Sequence, residues 1–112
     1  MNIEDMSIQQ FRELRNILRS YTQTDSHWHV GEAYFIRTVT HHLTGTLVKV
    51  TPSELVLIDA AWIASDGRFA DAIKDGELAE VEPYPDGEEV IVGRGSLIDA
   101  VQWRHPLPRV QK

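Results

Sequence analysis

The side chains best suited to chemistry in this 112-residue sequence are its histidines. His27 and His29 are one residue apart, so on an extended segment both imidazoles project to the same side and can reach one metal ion. A zinc site also needs a third ligand and supporting contacts, and no H-E-x-x-H motif is present. Histidines at the surface or at a subunit contact are the alternative. We therefore expect no metal site and no cofactor, with His27 and His29 as the pair to examine.

A second group of candidates begins at Arg94, which stands between Gly93 and Gly95. A guanidinium can bond a phosphate or a base edge through two parallel hydrogen bonds, and glycines let a ligand approach the backbone. Trp103 can stack on an unpaired base, and Arg104 beside it can contact phosphate. The predicted ligand- or RNA-binding residues are therefore Arg94, Gly95, Trp103 and Arg104. In the structural alternative, the glycines connect two strands tightly and the tryptophans seal the fold.

No pattern in the sequence indicates an enzyme. The serines lack a G-x-S-x-G context, and the glycines around Arg94 do not form a phosphate-binding loop. The absence of cysteine excludes thiolate chemistry, disulfides and iron–sulfur clusters, and is compatible with a reducing compartment. The first residues lack a signal peptide pattern, and no apolar run is long enough to cross a membrane. We expect a non-enzymatic cytoplasmic protein with no membrane contact.

Charge is distributed unevenly along the chain, which has 17 acidic and 11 basic side chains and a net charge of −6. Residues 54–89 hold eleven acidic and two basic side chains, which leaves nine excess negative charges. From Val90 onward the balance is basic. This distribution excludes a uniformly basic nucleic-acid binder but leaves room for a local basic site. The acidic stretch is either a solvated surface or a face for a protein partner.

The length and an apolar content of 42% predict one globular domain over residues 1–112. Ser7 and Gln10 form a capping box, and Phe11, Leu14 and Leu18 continue one apolar face. These features predict an N-terminal helix over residues 7–21.

From Ala33 onward, aromatic and β-branched residues predict strands instead. The first two strands are expected to meet at a bend near Thr44–Gly45, and Pro52 marks the turn into a third. Two more strands are expected, one before Arg94 and one after it. Between the third and fourth strands, Arg68 to Lys74 could form one or two helical turns closed by Gly76. The tally is a helix followed by five strands.

Two motifs in this order resemble the Sm-like family of small β-barrels. Gly45-Thr46-Leu47-Val48, with the returning strand Leu55-Val56-Leu57-Ile58-Asp59-Ala60, is similar to its first motif. Val92-Gly93-Arg94-Gly95-Ser96-Leu97-Ile98 is similar to its second motif. The resemblance covers residues 8–60 and 90–103, and SH3-like barrels share much of the pattern.

The resemblance implies a five-stranded small open β-barrel over residues 33–103, with the N-terminal helix before it. Residues 61–89 would be an acidic insertion between strands 3 and 4, and residues 104–112 a tail. It also implies a homo-oligomeric ring that acts as an assembly or adaptor module, with another protein as a partner through the helix or the insertion. The alternative is an RNA- or small-ligand-binding module that uses Arg94 and nearby aromatics. Family members that bind RNA carry an Asn where this chain has Thr51-Pro52-Ser53-Glu54, so we expect RNA binding to be absent or weak.

Overall fold

A computed structural model describes residues 8–10, 12–13 and 27–112 of the chain. This part is mainly β, with six strands in one antiparallel sheet. A short helix, α1, spans Phe69–Asp75, and a 3₁₀ turn spans Arg94–Ser96. The strands are β1 (Ala33–Thr38), β2 (His42–Val50), β3 (Glu54–Ser65), β4 (Glu80–Pro83), β5 (Val90–Gly93) and β6 (Leu97–Gln102).

The turn between β1 and β2 lies at residues 39–41, so the bend predicted near Thr44–Gly45 is in the wrong place. Thr38 fixes this turn, because its backbone N–H donates to the His41 carbonyl at 2.9 Å and its hydroxyl donates to the same carbonyl at 2.7 Å. Gly45 instead lies inside β2, where the register against β3 shifts between Thr44 and Thr46. Gly45 therefore allows β2 and β3 to approach each other closely, and it does not reverse the direction of the chain.

The 12-residue strand β3 organises the sheet, because its two halves pair with different neighbours. The first half pairs with β5, from Glu54 opposite Gly93 to Leu57 opposite Val90. The second half pairs with β4. Between the halves, Asp59 has a φ of 50°, a left-handed conformation that bends the strand. The predicted acidic insertion, residues 61–89, thus supplies the end of β3, α1 and the unpredicted strand β4.

The sheet is buried on both faces over part of its area. Alternate residues of β1 point to opposite sides, so Tyr34 and Ile36 enter one core while Phe35 enters another. The second core lies where α1 and the segment after β6 cover the sheet. The first core contains Tyr34, Ile36, Leu43, Leu47, Leu55, Leu57, Ala60 and Val92. The second contains Phe35, Ala61, Ile63, Ala72, Leu78, Val81 and Trp103.

The strand order is β4-β3-β2-β1-β6, with β5 attached to the other half of β3. The 3₁₀ turn joins β5 to β6 directly, yet no ladder connects these two strands in the part of the chain that is described. The predicted five-stranded barrel is therefore not confirmed: the sheet has six strands and is not closed by hydrogen bonds. β4 is the added strand, because the return after α1 pairs with the second half of β3.

Several local predictions are confirmed. The helical turns expected over Arg68 to Lys74 form α1, and Gly76 ends it with a φ of 74° and an N–H that donates to the Ala72 carbonyl. Residues 51–54 form the turn into β3. Of the predicted N-terminal helix, residues 8–10 and 12–13 are helical and exposed. The rest of that prediction, including its apolar face, lies outside the described residues.

The predicted tail, residues 104–112, has no helix or strand but is firmly attached to the insertion. Val81 of β4 and Lys112 exchange two backbone hydrogen bonds of 3.0 Å, which covers the outer edge of β4. Arg109 donates to the carbonyls of Ala60 and Tyr84, both at 2.8 Å, and to Asp86. Across residues 8–10, 12–13 and 27–112, no helix is long and apolar enough to cross a membrane.

Candidate functional site

Arg94 joins the two segments that carry the family resemblance. Its backbone N–H donates to the Ser53 carbonyl at 2.9 Å, and its Nη1 donates to the Thr51 carbonyl at 2.8 Å. The turn itself is closed by Glu54, whose N–H donates to the Thr51 hydroxyl at 3.0 Å. The partly buried guanidinium therefore lies at the turn between β2 and β3, and its other N–H groups form no hydrogen bond to described residues.

The glycines beside Arg94 are not required by the backbone or by the packing of the described residues. Neither Gly93 nor Gly95 has a positive φ, and a Cβ added at either would meet no atom within 4 Å. The structural alternative, a tight connection between two strands, therefore does not explain Gly93 and Gly95. Their surface leaves room for another backbone or a ligand to approach the turn.

Trp103 is enclosed in the second core and is only 5% exposed. Its ring stacks on Phe35 with centroids 5.8 Å apart, and its Nε1 donates to the Pro106 carbonyl at 3.1 Å. Both ring faces are thus unsuited to stacking on a base, and the packing alternative describes this residue. Arg104 is exposed next to it and contacts Gln102.

The four predicted binding residues do not converge. Arg94 and Gly95 precede β6, whereas Trp103 and Arg104 follow it. The six residues of β6 separate the two pairs by about 20 Å at the usual rise of a strand. The structure therefore divides the predicted site into an arginine turn and a packed tryptophan.

Within the described part of the chain, His27 and His29 are held by hydrogen bonds of their backbones, and their imidazoles form none. The Tyr34 hydroxyl accepts from the His29 N–H at 2.8 Å and donates to the His27 carbonyl at 3.2 Å. Both residues are exposed. Among the residues described, no three His, Asp or Glu side chains lie close enough to hold a metal ion.

The sequence offers Asp66 beside Trp62 either as part of a turn or as the lining of a pocket. It does not connect these two residues with the adjacent pair His41 and His42, which line the same polar groove. The His42 Nδ1 lies 2.9 Å from each carboxylate oxygen of Asp66, and the His41 Nδ1 lies 2.8 Å from the Thr40 hydroxyl. Asp66 comes from the turn after β3, 24 residues away from His42, so no local spacing connects them. The groove has a volume of about 220 Å³ and is lined by Thr40, His41, His42, Trp62, Ile63, Ala64 and Asp66.

A second polar pair lies next to this groove on β1 and β6. The Arg37 guanidinium donates to both oxygens of Asp99 and stacks 4.8 Å from the centroid of the Phe69 ring. This hydrogen bond lowers the pKa of the Asp99 carboxyl, and the charge of Arg37 acts in the same direction. The pKa of Arg37 is raised in turn, first by the same hydrogen bond. Both groups therefore stay charged at neutral pH.

Two strand edges are open, and both carry apolar side chains. β5 pairs only with β3 and β6 only with β1 in the described part of the chain. Ile91 on β5 and Ile98 on β6 are each 62% exposed, and Val101 on β6 is 42% exposed. Unpaired edges with exposed apolar residues are the usual place for another strand to add.

Comparison with protein-family models and with curated protein sequences finds no significant match to this chain. The site must therefore be interpreted from its own geometry.

Proposed function

We propose that the chain is a non-enzymatic module of the Sm-like small-barrel type that assembles with copies of itself into a closed ring. The observation that carries the proposal is the pair of open edges on β5 and β6, which only the three-residue turn at Arg94 separates. A strand edge on one copy can pair with the opposite edge on the next, and a repeated rotation of this kind closes a ring. In this proposal, β1, β2, β3, β5 and β6 would be the five strands of the small open barrel of each copy, and β4 would be an addition to it.

The backbone groups available to a neighbouring copy follow from two hydrogen bonds. The Arg94 N–H points to β3, because it donates to Ser53, so the N–H groups of Ile91 and Gly93 point away from β3. The Trp103 N–H points to β1, because it donates to Ala33. By the same alternation, Ala100 and Gln102 direct their N–H groups to the open side of β6.

The side chains at these edges support the same assembly. Covering Ile91, Ile98 and Val101 would remove apolar surface from water, at roughly 25 cal/mol for each Å² buried. Both edge strands are short, four residues for β5 and six for β6, so apolar contacts must add to the backbone pairing. The room beside Gly93 and Gly95 admits the backbone of a second copy.

The adaptor role rests on the surfaces that this assembly would leave free. The insertion presents exposed carboxylates on β4 and in the loop before β5, including Glu80, Glu82, Glu88 and Glu89. A protein partner with a basic surface would complement this face. Cytoplasmic location belongs to the same proposal.

Aspartate substitutions at the edges test the assembly. In Ile91→Asp and Ile98→Asp, a charge would be buried between copies, so we expect the mass measured by light scattering to fall to that of a monomer. Val110→Asp is the matched control, because Val110 is 79% exposed on the tail and away from both edges. Masses that stay the same in both edge variants would contradict the edge-pairing assembly.

A proline at position 102 tests whether backbone hydrogen bonds at the open edge of β6 contribute to assembly. Gln102→Pro removes an N–H that faces the open side of β6, so it should weaken assembly and leave the fold intact. Val101→Pro removes an N–H that faces β1 and should instead lower the stability of each chain.

A second candidate function, RNA or small-ligand binding, is favoured by the position of Arg94 at the turn between β2 and β3. The guanidinium retains N–H groups that are free to bond a phosphate. Fluorescence anisotropy with a short labelled single-stranded RNA at low salt tests this function. Tight binding that is lost in Arg94→Ala and kept in Arg104→Ala would promote this function over the adaptor role, whereas we expect weak binding or none.

A further inference from the structure

An exposed indole stands beside a carboxylate where β3 pairs with β4. Trp62 of β3 lies directly opposite Glu82 of β4 in the antiparallel register. Residues opposite each other on paired strands project to the same face, with their Cβ atoms about 5 Å apart. Ala61 and Ile63, the neighbours of Trp62 on β3, are buried in the second core. Because side chains alternate along a strand, Trp62 and Glu82 both lie on the face away from that core.

The described residues leave both of these side chains without a cation. The indole of Trp62 is 44% exposed, and no Lys or Arg of the described chain lies over it. Within the same residues Glu82 forms no ion pair, and its carboxylate accepts one hydrogen bond of 3.4 Å from the Gln111 amide. Glu80, two residues earlier on β4, adds a second exposed carboxylate to this face. Trp62, Glu80 and Glu82 are called the Trp62–Glu82 surface below.

The other face of the sheet shows how an aromatic ring and a carboxylate are joined by a cation. Phe69 is exposed to the same extent as Trp62, 44%, and the Arg37 guanidinium lies 4.8 Å from the centroid of its ring. The same guanidinium donates to both oxygens of Asp99. A guanidinium can make both contacts at once, because its N–H groups lie in one plane and the face of that plane packs on the ring. Trp62 and Glu82 offer the ring and the carboxylate without the guanidinium.

We propose that the Trp62–Glu82 surface binds an arginine side chain of a protein partner. The guanidinium packs on the indole and donates to the Glu82 carboxylate, while Glu80 adds to the negative potential. Charge favours this occupant, because residues 54–89 carry nine more acidic than basic side chains, and the same charge opposes the phosphates of a nucleic acid.

This inference rests on the proposed adaptor role and names where the partner is held. The surface is separate from the edges used for assembly. β4 and β5 pair with different halves of β3, and β6 stands at the opposite end of the strand order from β4. Pairing of β5 with β6 between copies therefore leaves Trp62 and Glu82 available to a partner.

A peptide titration followed by nuclear magnetic resonance tests this surface. The probe is an acetylated, amidated serine peptide with three arginines, and a second peptide has lysines in their place and the same charge. In the ¹⁵N-labelled protein at low salt, we expect the arginine peptide to shift the Trp62 indole signal and the amide signals of β4, while the signal of the buried Trp103 indole stays in place. The lysine peptide should bind less tightly. Equal affinity for the two peptides, or a shift of Trp62 by a short single-stranded RNA but by neither peptide, would overturn the proposal.

Two substitutions separate this surface from the general negative charge of the chain. Trp62→Ala and Glu82→Gln should each weaken binding of the arginine peptide by about two- to fivefold, as expected for one exposed cation–π contact or ion pair. Glu32→Gln is the matched control, because Glu32 is exposed just before β1 and its substitution changes the net charge by the same amount. The Trp103 signal reports whether each variant is folded. Equal loss of affinity in Glu82→Gln and Glu32→Gln would contradict a defined arginine site.

The titration also distinguishes a failure of this surface from a failure of the proposed function. Shifts confined to Glu88 and Glu89, with none at Trp62, would overturn the Trp62–Glu82 surface and keep an acidic adaptor face. No shift at any residue would overturn both. A monomeric mass together with the arginine peptide bound at Trp62 would contradict the ring and support this surface.

Discussion

Gly45 and Ala60 approach each other so closely across β2 and β3 that a Cβ on Gly45 would lie 3.2 Å from the Cβ of Ala60. The same added atom would be 3.1 Å from the Cβ of Leu57. The bend at Asp59 carries β3 over the glycine, with the register shift of β2 beneath it. This close contact lets one strand pair with β5 in its first half and with β4 in its second.

We predict that Gly45→Ala destabilises the fold by about 1 to 3 kcal/mol, the usual cost of overpacking a core. Both neighbouring Cβ atoms are fixed to the backbone of β3, so neither can turn away. Gly95→Ala is the control, because its Cβ would meet nothing, and it should change the stability by less than about 0.5 kcal/mol. Urea denaturation measures both. Equal midpoints for the two variants would show that the approach at Gly45 is not tight.

Removing a buried hydroxyl group should stabilise the fold, which is the opposite of the effect expected for Gly45→Ala. Thr44 Oγ1 has no hydrogen-bond partner among the described residues, and the residue is 0% exposed. Thr44→Val keeps the shape and removes the unsatisfied group, so we expect a gain of about 1 kcal/mol in the free energy of unfolding. Thr38→Val should instead lower it, because the Thr38 hydroxyl is hydrogen-bonded. Thermal unfolding of the two variants compares them, and a loss of stability in Thr44→Val would contradict the assignment.

Arg109 should be the main attachment of the tail to the sheet. Its side chain is 24% exposed and satisfies the carbonyls of Ala60 and Tyr84. In Arg109→Leu both carbonyls lose their partner, and we expect a loss of roughly 1 to 3 kcal/mol measured by urea denaturation. Arg104→Leu, at an exposed position, should have little effect. A similar effect of the two substitutions would mean that the tail is held by its other contacts.

Acid should weaken the link between β1 and β6. The Arg37 guanidinium lowers the pKa of the Asp99 carboxyl below its ordinary value of 3.8. A lowered pKa stabilises the fold above the unfolded value, and this contribution is lost as the pH falls through the folded value. We therefore expect Asp99→Asn to be less stable than the native chain at neutral pH and equally stable once the pH is below the lowered pKa of Asp99. The pair is partly exposed, so the difference is small and shrinks in high salt; a difference that persists in acid would contradict this origin.

Local signals in the sequence predicted much of the fold. Gly76 after a short helical pattern marked the end of α1, and Pro52 marked the turn into β3. The turn at residues 39–41 was missed because Val39 and Thr40 have β-branched side chains, which favour strands. There the hydrogen bonds of the Thr38 hydroxyl override the propensity. β4 was missed because its acidic residues are typical of a loop. The chain turns back after α1 and brings this segment against β3, where it pairs as a strand.

The candidate sites depended on contacts between distant residues, which spacing does not reveal. The pairing of His42 with Asp66 requires the end of β3 to return to the start of β2. Trp103 looked available for stacking because basic residues follow it, but Phe35 covers its ring. Arg94 was identified from its motif. Its contact with the turn at Thr51 required the ladder between β3 and β5.

Native mass spectrometry of the unmodified chain at micromolar concentration tests the proposed assembly most directly. If the open edges of β5 and β6 pair between copies, one closed species of several subunits should dominate, without a ladder of increasing sizes. Dilution should then take it to monomers without stable open intermediates. A monomer as the only species at every concentration would contradict the ring.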